Sequence, residues 1–518
     1  MKENFMNTVQ MAMPSGNVFD LGHDVKQTLD MGVLVPFLCQ DTLPGDRWTV
    51  GAEVMVRFNA LMAPVMHKFD VYTHYFYVPN RIVWDGWTDF IKSINSGTPA
   101  PAAPYITNFG VGAGDLANYM GLPITAGVGS IDKVSAIPFA GLGKIWNEYY
   151  RADFIQPEID VVLVDGNNDA KKAALLSNRR RAWQMDYFTA QLPNAQRGNP
   201  VSIPLGSSAP VQYIGQGGGL GAGVFKNYAT GAPIGAGDLF TTSGSNPALN
   251  SSGGVPLAYD PNGTLITDLS SATAVTINAL RTAWAVQGWA ERAARVGDRY
   301  TEVIRGFYGV NVPDATLQRP LYLGGSKQPM VISEVLQTSE TTATSPQADM
   351  AGHGISIGGG KSFSYTCTEH GYIFGLMSVM PRTAYQQGIE AHFSKFDPVQ
   401  YGWPQFANLG EQPVKNREVY FSPTDGQNDL TFGYMPMYGE YRTKQSRVAG
   451  LFATDLSFWH DGRIFSSRPN LNSQFIQCTP DKRIFTVQTD AGSQLLSHVY
   501  NHLRVYRLLP KFGTPSLI

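Results

Sequence analysis

The chain has 518 residues and a formal net charge of −2; 15% of its residues are charged, 43% hydrophobic and 12% aromatic. It is longer than one compact core ordinarily supports and falls short of the roughly 25% charge of an average soluble domain, so much of its surface must be covered, by itself or by neighbours. The near-neutral balance excludes a protein that wraps nucleic acid unaided, because phosphate neutralisation demands a strong positive excess; an enclosed nucleic acid would need counter-charge from a basic partner, polyamines or metal ions.

The chain opens Met1-Lys2-Glu3-Asn4 without an apolar h-region, which predicts no secretory signal. No stretch approaches the roughly 18 apolar residues of a membrane span, so the expectation is a soluble chain made in the cytoplasm. Leu43-Pro44-Gly45-Asp46 reads as a tight turn, proline setting φ and glycine supplying a positive one. Next, Val50, Ala52, Val54, Val56 and Phe58 alternate with Thr49, Gly51, Glu53, Arg57 and Asn59, the period of a half-buried strand. A second strand is expected over Phe69 to Val78, after a loop marked by Pro64.

From about 85 to 360 the chain reads as long insertions with short helices. Candidate helices run from Ala173 to Tyr187 and from Thr276, a plausible N-cap, to Arg295. Residues 206–255 hold thirteen glycines and only two charged residues, Lys226 and Asp238. Such a segment reads as an exposed loop insertion ordered against neighbouring copies, with simple flexibility as the alternative. Strand character returns as a pair within Phe363 to Met380, then at Glu418 to Phe421, Leu430 to Met437, Ile484 to Val487 and Val499 to Leu508. Strand-rich ends around a loop-rich middle predict a mainly β fold: one antiparallel sandwich or eight-stranded jelly roll drawing strands from both ends, with large loop and helical insertions.

Motifs for chemistry lack their contexts. Gly354-Ile355-Ser356-Ile357-Gly358 matches a serine-hydrolase elbow beside His353, but a polar stretch precedes it and a strand pattern follows. Gly358-Gly359-Gly360-Lys361-Ser362 ends like a phosphate loop, yet Ile355 stands where its first glycine belongs. His498 and His502 have zinc-pair spacing without a glutamate base or an evident third ligand. His67, His74, His370, His392 and His460 are scattered and read as structural. Cys39, Cys367 and Cys478 are too few and too far apart for a disulfide framework or a zinc site. No catalytic residue, cofactor or metal is assigned. Two basic clusters are candidate DNA-facing groups: Lys171, Lys172, Arg179, Arg180 and Arg181, followed by Trp183 and Tyr187, and Arg292, Arg295 and Arg299. Arginine beside aromatic rings suits unpaired strands through charge and stacking; the plainer reading is a solvated helix face or salt bridges between subunits.

A set of strings in fixed order is more specific. Leu43-Pro44-Gly45-Asp46, Phe76-Tyr77-Val78-Pro79-Asn80-Arg81, Tyr119-Met120-Gly121-Leu122-Pro123 and Asn147-Glu148-Tyr149-Tyr150-Arg151 come first. Asp186-Tyr187-Phe188-Thr189, Arg299-Tyr300-Thr301-Glu302 and Gln318-Arg319-Pro320-Leu321-Tyr322-Leu323-Gly324-Gly325 follow. Glu369-His370-Gly371-Tyr372, Tyr385-Gln386-Gln387-Gly388, Gly410-Glu411-Gln412, Phe432-Gly433-Tyr434 and Glu440-Tyr441-Arg442 complete the set. With these the chain resembles the major capsid proteins of the Microviridae, small icosahedral single-stranded DNA phages, and is most similar to their gokushovirus branch. The resemblance runs from about 40 to 450.

What the resemblance implies is a jelly-roll coat subunit in a sixty-copy T=1 shell built from pentamers around a circular single-stranded DNA genome. It implies a small basic DNA-packaging protein, an internal scaffolding protein, a DNA pilot protein and a host surface receptor as partners, with no membrane. Assembly would take place in the bacterial cytoplasm, and the glycine-rich 206–255 segment would form a three-fold protrusion. Two other readings compete: a β-sandwich hydrolase, which would need paired acids or a triad, and a β-rich spike or carbohydrate-binding protein.

Overall fold

The computed structural model describes residues 16–96, 99–125, 127, 129–198, 201, 211–213, 225–227, 239–241, 249–251, 257–259, 265–267, 277–297, 299–336, 350–359, 362–488 and 494–511. The chain divides into two compact units, 1–197 with 291–518, and 198–290.

In chain order the first unit opens with β1 (Asn17–Asp20), β2 (His23–Leu29), β3 (Val33–Thr42), β4 (Arg47–Phe58) and β5 (Phe69–Pro79). There follow α1 (Trp87–Ser96), β6 (Tyr105–Phe109), α2 (Leu116–Tyr119), β7 (Ile131–Ser135), α3 (Ile137–Ile145), α4 (Lys172–Leu176) and β8 (Arg179–Arg180). The second unit holds β9 (Val211–Tyr213), β10 (Phe225–Asn227), β11 (Leu239–Thr241), β12 (Leu249–Ser251), β13 (Leu257–Tyr259) and β14 (Leu265–Thr267). After α5 (Ile277–Val296) and α6 (Tyr300–Tyr308) come β15 (Leu321–Pro329), β16 (Val331–Leu336), β17 (Met350–Gly359), β18 (Phe363–Thr366) and β19 (Gly371–Pro381). The last elements are β20 (Glu411–Lys415), α7 (Asn416–Val419), β21 (Thr431–Pro436), α8 (Ser473–Ile476) and β22 (Leu495–Arg507).

Eight strands make the framework of the first unit. One sheet runs β2-β22-β4-β17 and the other β3-β19-β5-β15, all pairs antiparallel, with β1, β16, β18 and β8 as short additions. Numbered along the chain, the eight pair first with last, second with seventh, third with sixth and fourth with fifth. That is one long hairpin rolled into two facing sheets, the jelly roll. Alternation sets the register: in β4 against β22, Val50 opposes Leu503, Val54 opposes Val499 and Phe58 opposes Leu495, all buried. A slip of one residue would turn each of these toward water. Val35, Phe37, Val71, Tyr75, Tyr77, Ile373 and Met377 of the second sheet close the same core.

The second sheet is covered on its other face too. Phe76, Val78, Phe374 and Leu376 pack there against α3, whose Phe139, Ala140, Leu142 and Ile145 are buried. Hence β19 is apolar on both faces, as a doubly covered strand must be. Two long excursions carry the remaining chain: residues 80–320 between β5 and β15, and 382–494 between β19 and β22. In the second unit, β9 pairs β14, β10 pairs β13 and β11 pairs β12, a nested antiparallel ladder. Most of the glycine-rich 206–255 segment lies outside the described residues.

Several sequence expectations need correction. The helix expected over Ala173 to Tyr187 is only α4, because Arg179 and Arg180 pair as a strand with Leu34 and Val33 at the edge of β3. Glu418 to Phe421 is not a strand: Glu418 Oε1 accepts the Lys415 N–H at 3.1 Å and winds Asn416–Val419 into a helical turn. Ile484 and Phe485 are fully buried in the sandwich core, but only Phe485 makes a β-bridge, to Leu61. Nor do the strands within Phe363 to Met380 pair with each other; β18 joins β4 and β19 joins β3 and β5, so they lie in opposite sheets. The first turn is as expected, with Gly45 at φ +89 and Leu43 N donating to Asp46 Oδ2 at 2.9 Å.

Candidate functional site

The ordered strings converge into networks that fasten the insertions to the jelly roll. Helix α3 runs on into a π-helical turn, Trp146–Tyr150. Arg299 donates to Asn147 O at 3.0 Å and Arg151 O at 2.6 Å around this turn, and pairs with Glu302 at 2.9 Å. Arg319 donates to Thr301 Oγ1 at 2.9 Å and Glu148 O at 3.2 Å, and its guanidinium lies 4.6 Å from the Tyr149 ring centroid. Tyr149 OH donates to Pro320 O at 2.5 Å, one residue before β15 begins. Arg81, just past β5, pairs with Glu369 at 2.7 Å and reaches Gln318, which brings three strings to one point. In the cluster that also buries Ala152, Tyr187 OH donates to Glu418 Oε2 at 2.7 Å and Tyr385 OH to Asp186 Oδ2 at 2.7 Å. Burial pushes the Glu418 carboxyl up and the Tyr385 phenol well up.

The glycines of these strings are equally structural. At Gly371 a Cβ would stand 2.4–2.9 Å from the Val78 carbonyl and the Tyr77 ring, and at Gly388 it would collide with the Glu418 carbonyl. Both mark places where two backbones touch.

The basic residues are engaged within the subunit to different degrees. Lys171 pairs with Asp160 at 2.8 Å, and Lys172 with Asp169 at 3.4 Å. Thr107 hydrogen bonds hold the Asp169 carboxyl down to about 2. Arg179 donates to Ala174 O, and Arg180 to Met31 O at 3.1 Å and Cys478 O at 3.0 Å. Arg181 donates to Ser378 Oγ at 3.1 Å and lies 4.6 Å from the Tyr72 ring centroid and 5.3 Å from that of Tyr150. Arg295 pairs with Glu411, Arg299 belongs to the network above, and Arg292 is exposed on α5. The structure thus ties Arg180 and Arg181 to the sandwich and brings members of both basic clusters to the one 146–151 turn, where Arg181 lies against the Tyr150 ring and Arg299 donates to the Asn147 and Arg151 carbonyls.

The enzyme-like motifs have ordinary places. Ser356 is buried in mid-strand opposite Val56 in β17, not on a strand-to-helix turn, while His353 contacts Arg57 at 2.8 Å. Gly358 and Gly359 close the same strand, and Gly360 and Lys361 lie outside the described residues. His498 and His502 stand on β22 rather than a helix, each against a carboxylate: Asp24 at 2.6 Å and Glu53 at 3.1 Å. Among the described residues no group of three or more His, Cys, Asp or Glu is placed to hold a metal ion, and no helix is long and apolar enough to cross a membrane. Cys39, Cys367 and Cys478 are free thiols.

Sequence reasoning missed the apolar surface left bare by the fold. Phe396 is 85% exposed, Trp284 81% and Tyr308 78%. Residues of this kind, well outside the core, are what association buries. The signal was present in segment 391–409, where aromatic residues recur without the alternation of a strand.

Comparison with known proteins agrees with this architecture. The model of a family described as capsid protein (F protein) matches residues 8–517. The capsid protein VP1 of Chlamydia phage 1 is 31% identical over 588 aligned residues, covering 99% of this chain and 98% of that protein. The capsid protein VP1 of Bdellovibrio phage phiMH2K is 33% identical, covering 96% and 95%. That of Spiroplasma virus 4 is 29% identical, covering 96% and 94%. The chain belongs to the phage capsid protein (F protein) family, as a major capsid protein of the Microviridae type.

Proposed function

We propose that the whole chain acts as one jelly-roll subunit and that sixty copies, by way of pentamers, close a T=1 shell around a circular single-stranded DNA genome. The observation that carries this is the pairing order of the eight strands, first with last and fourth with fifth, together with a net charge of −2. A rolled sandwich presents compact edges and long loops for symmetric contacts. A neutral wall needs its counter-charge from elsewhere, which favours a small basic packaging protein inside the shell. An internal scaffolding protein, a DNA pilot protein, a host surface receptor and assembly in the bacterial cytoplasm complete the reading.

The nested ladder β9–β14 supports the second unit, with its glycine-rich 206–255 segment, as the three-fold protrusion. Genome contact falls to the basic clusters in a graded way. Arg292, exposed on α5, and half-buried Lys171 and Lys172, paired with Asp160 and Asp169, can turn to phosphate. Arg179, Arg180, Arg181, Arg295 and Arg299 set the wall behind them. In this reading no residue carries out catalysis.

The test is the native mass and nucleic-acid content of particles made with their assembly partners. Sixty chains of 56.5 kDa give a protein shell of about 3.4 MDa, and nuclease-protected circular single-stranded DNA is the expected content. A stable monomer, or protected double-stranded DNA, would refute the proposal.

A further inference from the structure

Segment 391–409, between β19 and β20, displays apolar side chains on a frame that is already ordered. Phe396 is 85% exposed, Leu409 67% and Phe393 65%, with Val399, Tyr401 and Trp403 about half exposed. The backbone runs through three short 3-10 turns, Ala391–Ser394, Pro398–Gln400 and Pro404–Phe406.

Polar groups of the segment and its support hold these turns. Gln400 Oε1 accepts from Phe396 N at 2.6 Å and Asp397 N at 3.1 Å, and Asp397 Oδ1 accepts from Val399 N at 2.9 Å. Trp403 Nε1 donates to Pro398 O at 2.8 Å, and Tyr438 OH to Val399 O at 2.9 Å. Lys395 pairs with Glu440 at 2.8 Å and sits 3.9 Å from the Tyr441 ring centroid. A flexible loop would hide its aromatic side chains; this one is built to keep them out, and a surface already in its docked form loses little entropy on binding.

The chemistry selects the occupant. Within the segment the charged side chains are Lys395 and Asp397; the first is paired with Glu440 and the second caps a turn. No cation is left over for phosphate, which argues against nucleic acid. Aromatic side chains bury roughly 150–250 Å² each, so the six exposed side chains offer on the order of 700 Å², close to the roughly 800 Å² that each partner contributes to a standard interface. The partner is therefore another protein face of low charge, and in a shell the protein present in greatest number is the chain itself.

We propose that the 391–409 ridge is a contact between subunits, with Phe396 and Trp403 as its anchors, docking onto a second copy of the chain. The inference rests on the shell reading above and adds where one of its contacts lies.

The test compares wild type with Phe396→Asp and Trp403→Ala in particle formation, with hydrogen exchange of 391–409 measured in free subunits and in particles. Phe396 is so exposed that its replacement leaves the free subunit folded, checked by an unchanged melting temperature. The expected result is folded subunits, at least tenfold fewer closed particles for Phe396→Asp, and slowed exchange across 391–409 on wild-type assembly. Particles at wild-type yield from both variants, or unchanged exchange in wild-type particles, would overturn the ridge while leaving the shell intact. Slowing that appears only when a different protein is added would also overturn it and assign the ridge to that protein. A wild-type chain that forms no particles would overturn both readings.

Discussion

Replacing Arg181 by glutamine separates two roles, a brace of the wall and a contact to the genome. Its guanidinium is held between the Tyr72 and Tyr150 rings and donates to Ser378 on β19. Two partly desolvated cation–ring contacts contribute roughly 1 kcal/mol each. The charge-assisted hydrogen bond adds about 1.5 kcal/mol, part of which glutamine can recover. The variant should therefore lose about 2–3 kcal/mol. For a chain of this length the unfolding entropy is so large that this corresponds to about 2–3 °C in melting temperature, within reach of scanning fluorimetry on free subunits. A second readout is independent of melting. The Arg181 charge, after burial, is a cause that holds His74 down at about 4, so the His74 pKa should rise in the variant when followed by NMR. Particles that do assemble should carry a normal amount of DNA. Unchanged melting and His74 titration with a clearly reduced DNA content would refute the brace and make Arg181 a genome contact.

Other predictions follow from the networks. Arg319→Ala removes the cation shared by Glu148, Asp314 and the Tyr149 ring and should cost about 3 kcal/mol or more in urea unfolding, with Arg319→Lys recovering less than half because it lacks the planar fork. Gly388→Ala drives a methyl group into the Glu418 carbonyl and should sharply lower the yield of soluble subunit, whereas alanine at Gly359, where a Cβ meets nothing, should be tolerated. Burial holds His67 and His74 at about 4. Below about 6.5 the unfolded chain binds protons that the folded chain refuses, so the stability they contribute is complete above 6.5 and disappears as pH falls toward 4. Urea midpoints of free subunits should drop between pH 7 and pH 5 by the equivalent of about 2 kcal/mol per histidine, and His74→Gln should remove about half of that drop; a flat profile would contradict the burial of both rings.

Alternation made β4 and β22 legible, because each is buried on one face and the inward set Val50, Val54 and Phe58 meets Leu503, Val499 and Leu495 across the ladder; β5, covered on both faces, showed through its tyrosine, valine and phenylalanine content instead. The strands between 321 and 359 were not legible. Gly324 and Gly325 interrupt β15 at a bulge where the register shifts, and β17 has small residues at alternate positions, Gly352, Gly354, Ser356 and Gly358, because a Cβ at Gly352 or Gly354 would strike Ala63 or Phe58. Close backbone approach, not hydrophobic pattern, sets those strands. The excursion over 382–494 also escaped notice, since its order comes from side-chain hydrogen bonds such as Gln387 to Phe465 rather than from regular elements. The arginines were visible as clusters, but sequence spacing does not tell a guanidinium facing solvent from one donating to Met31 and Cys478 carbonyls. The ordered strings carried the family, and the structure gives the physical cause: Arg81, Asn147, Glu148, Arg299, Gln318, Arg319 and Glu369 tie the insertion to the ends of β5 and β15.

The most direct test of the central claim, that identical jelly-roll units enclose a genome by contacting one another, is an electron cryomicroscopy reconstruction of purified particles. The prediction is a closed icosahedral wall of sixty subunits, each with the sheets β2-β22-β4-β17 and β3-β19-β5-β15 traceable in density. An open lattice, a lone trimeric spike or particles whose walls are made of another protein would contradict it.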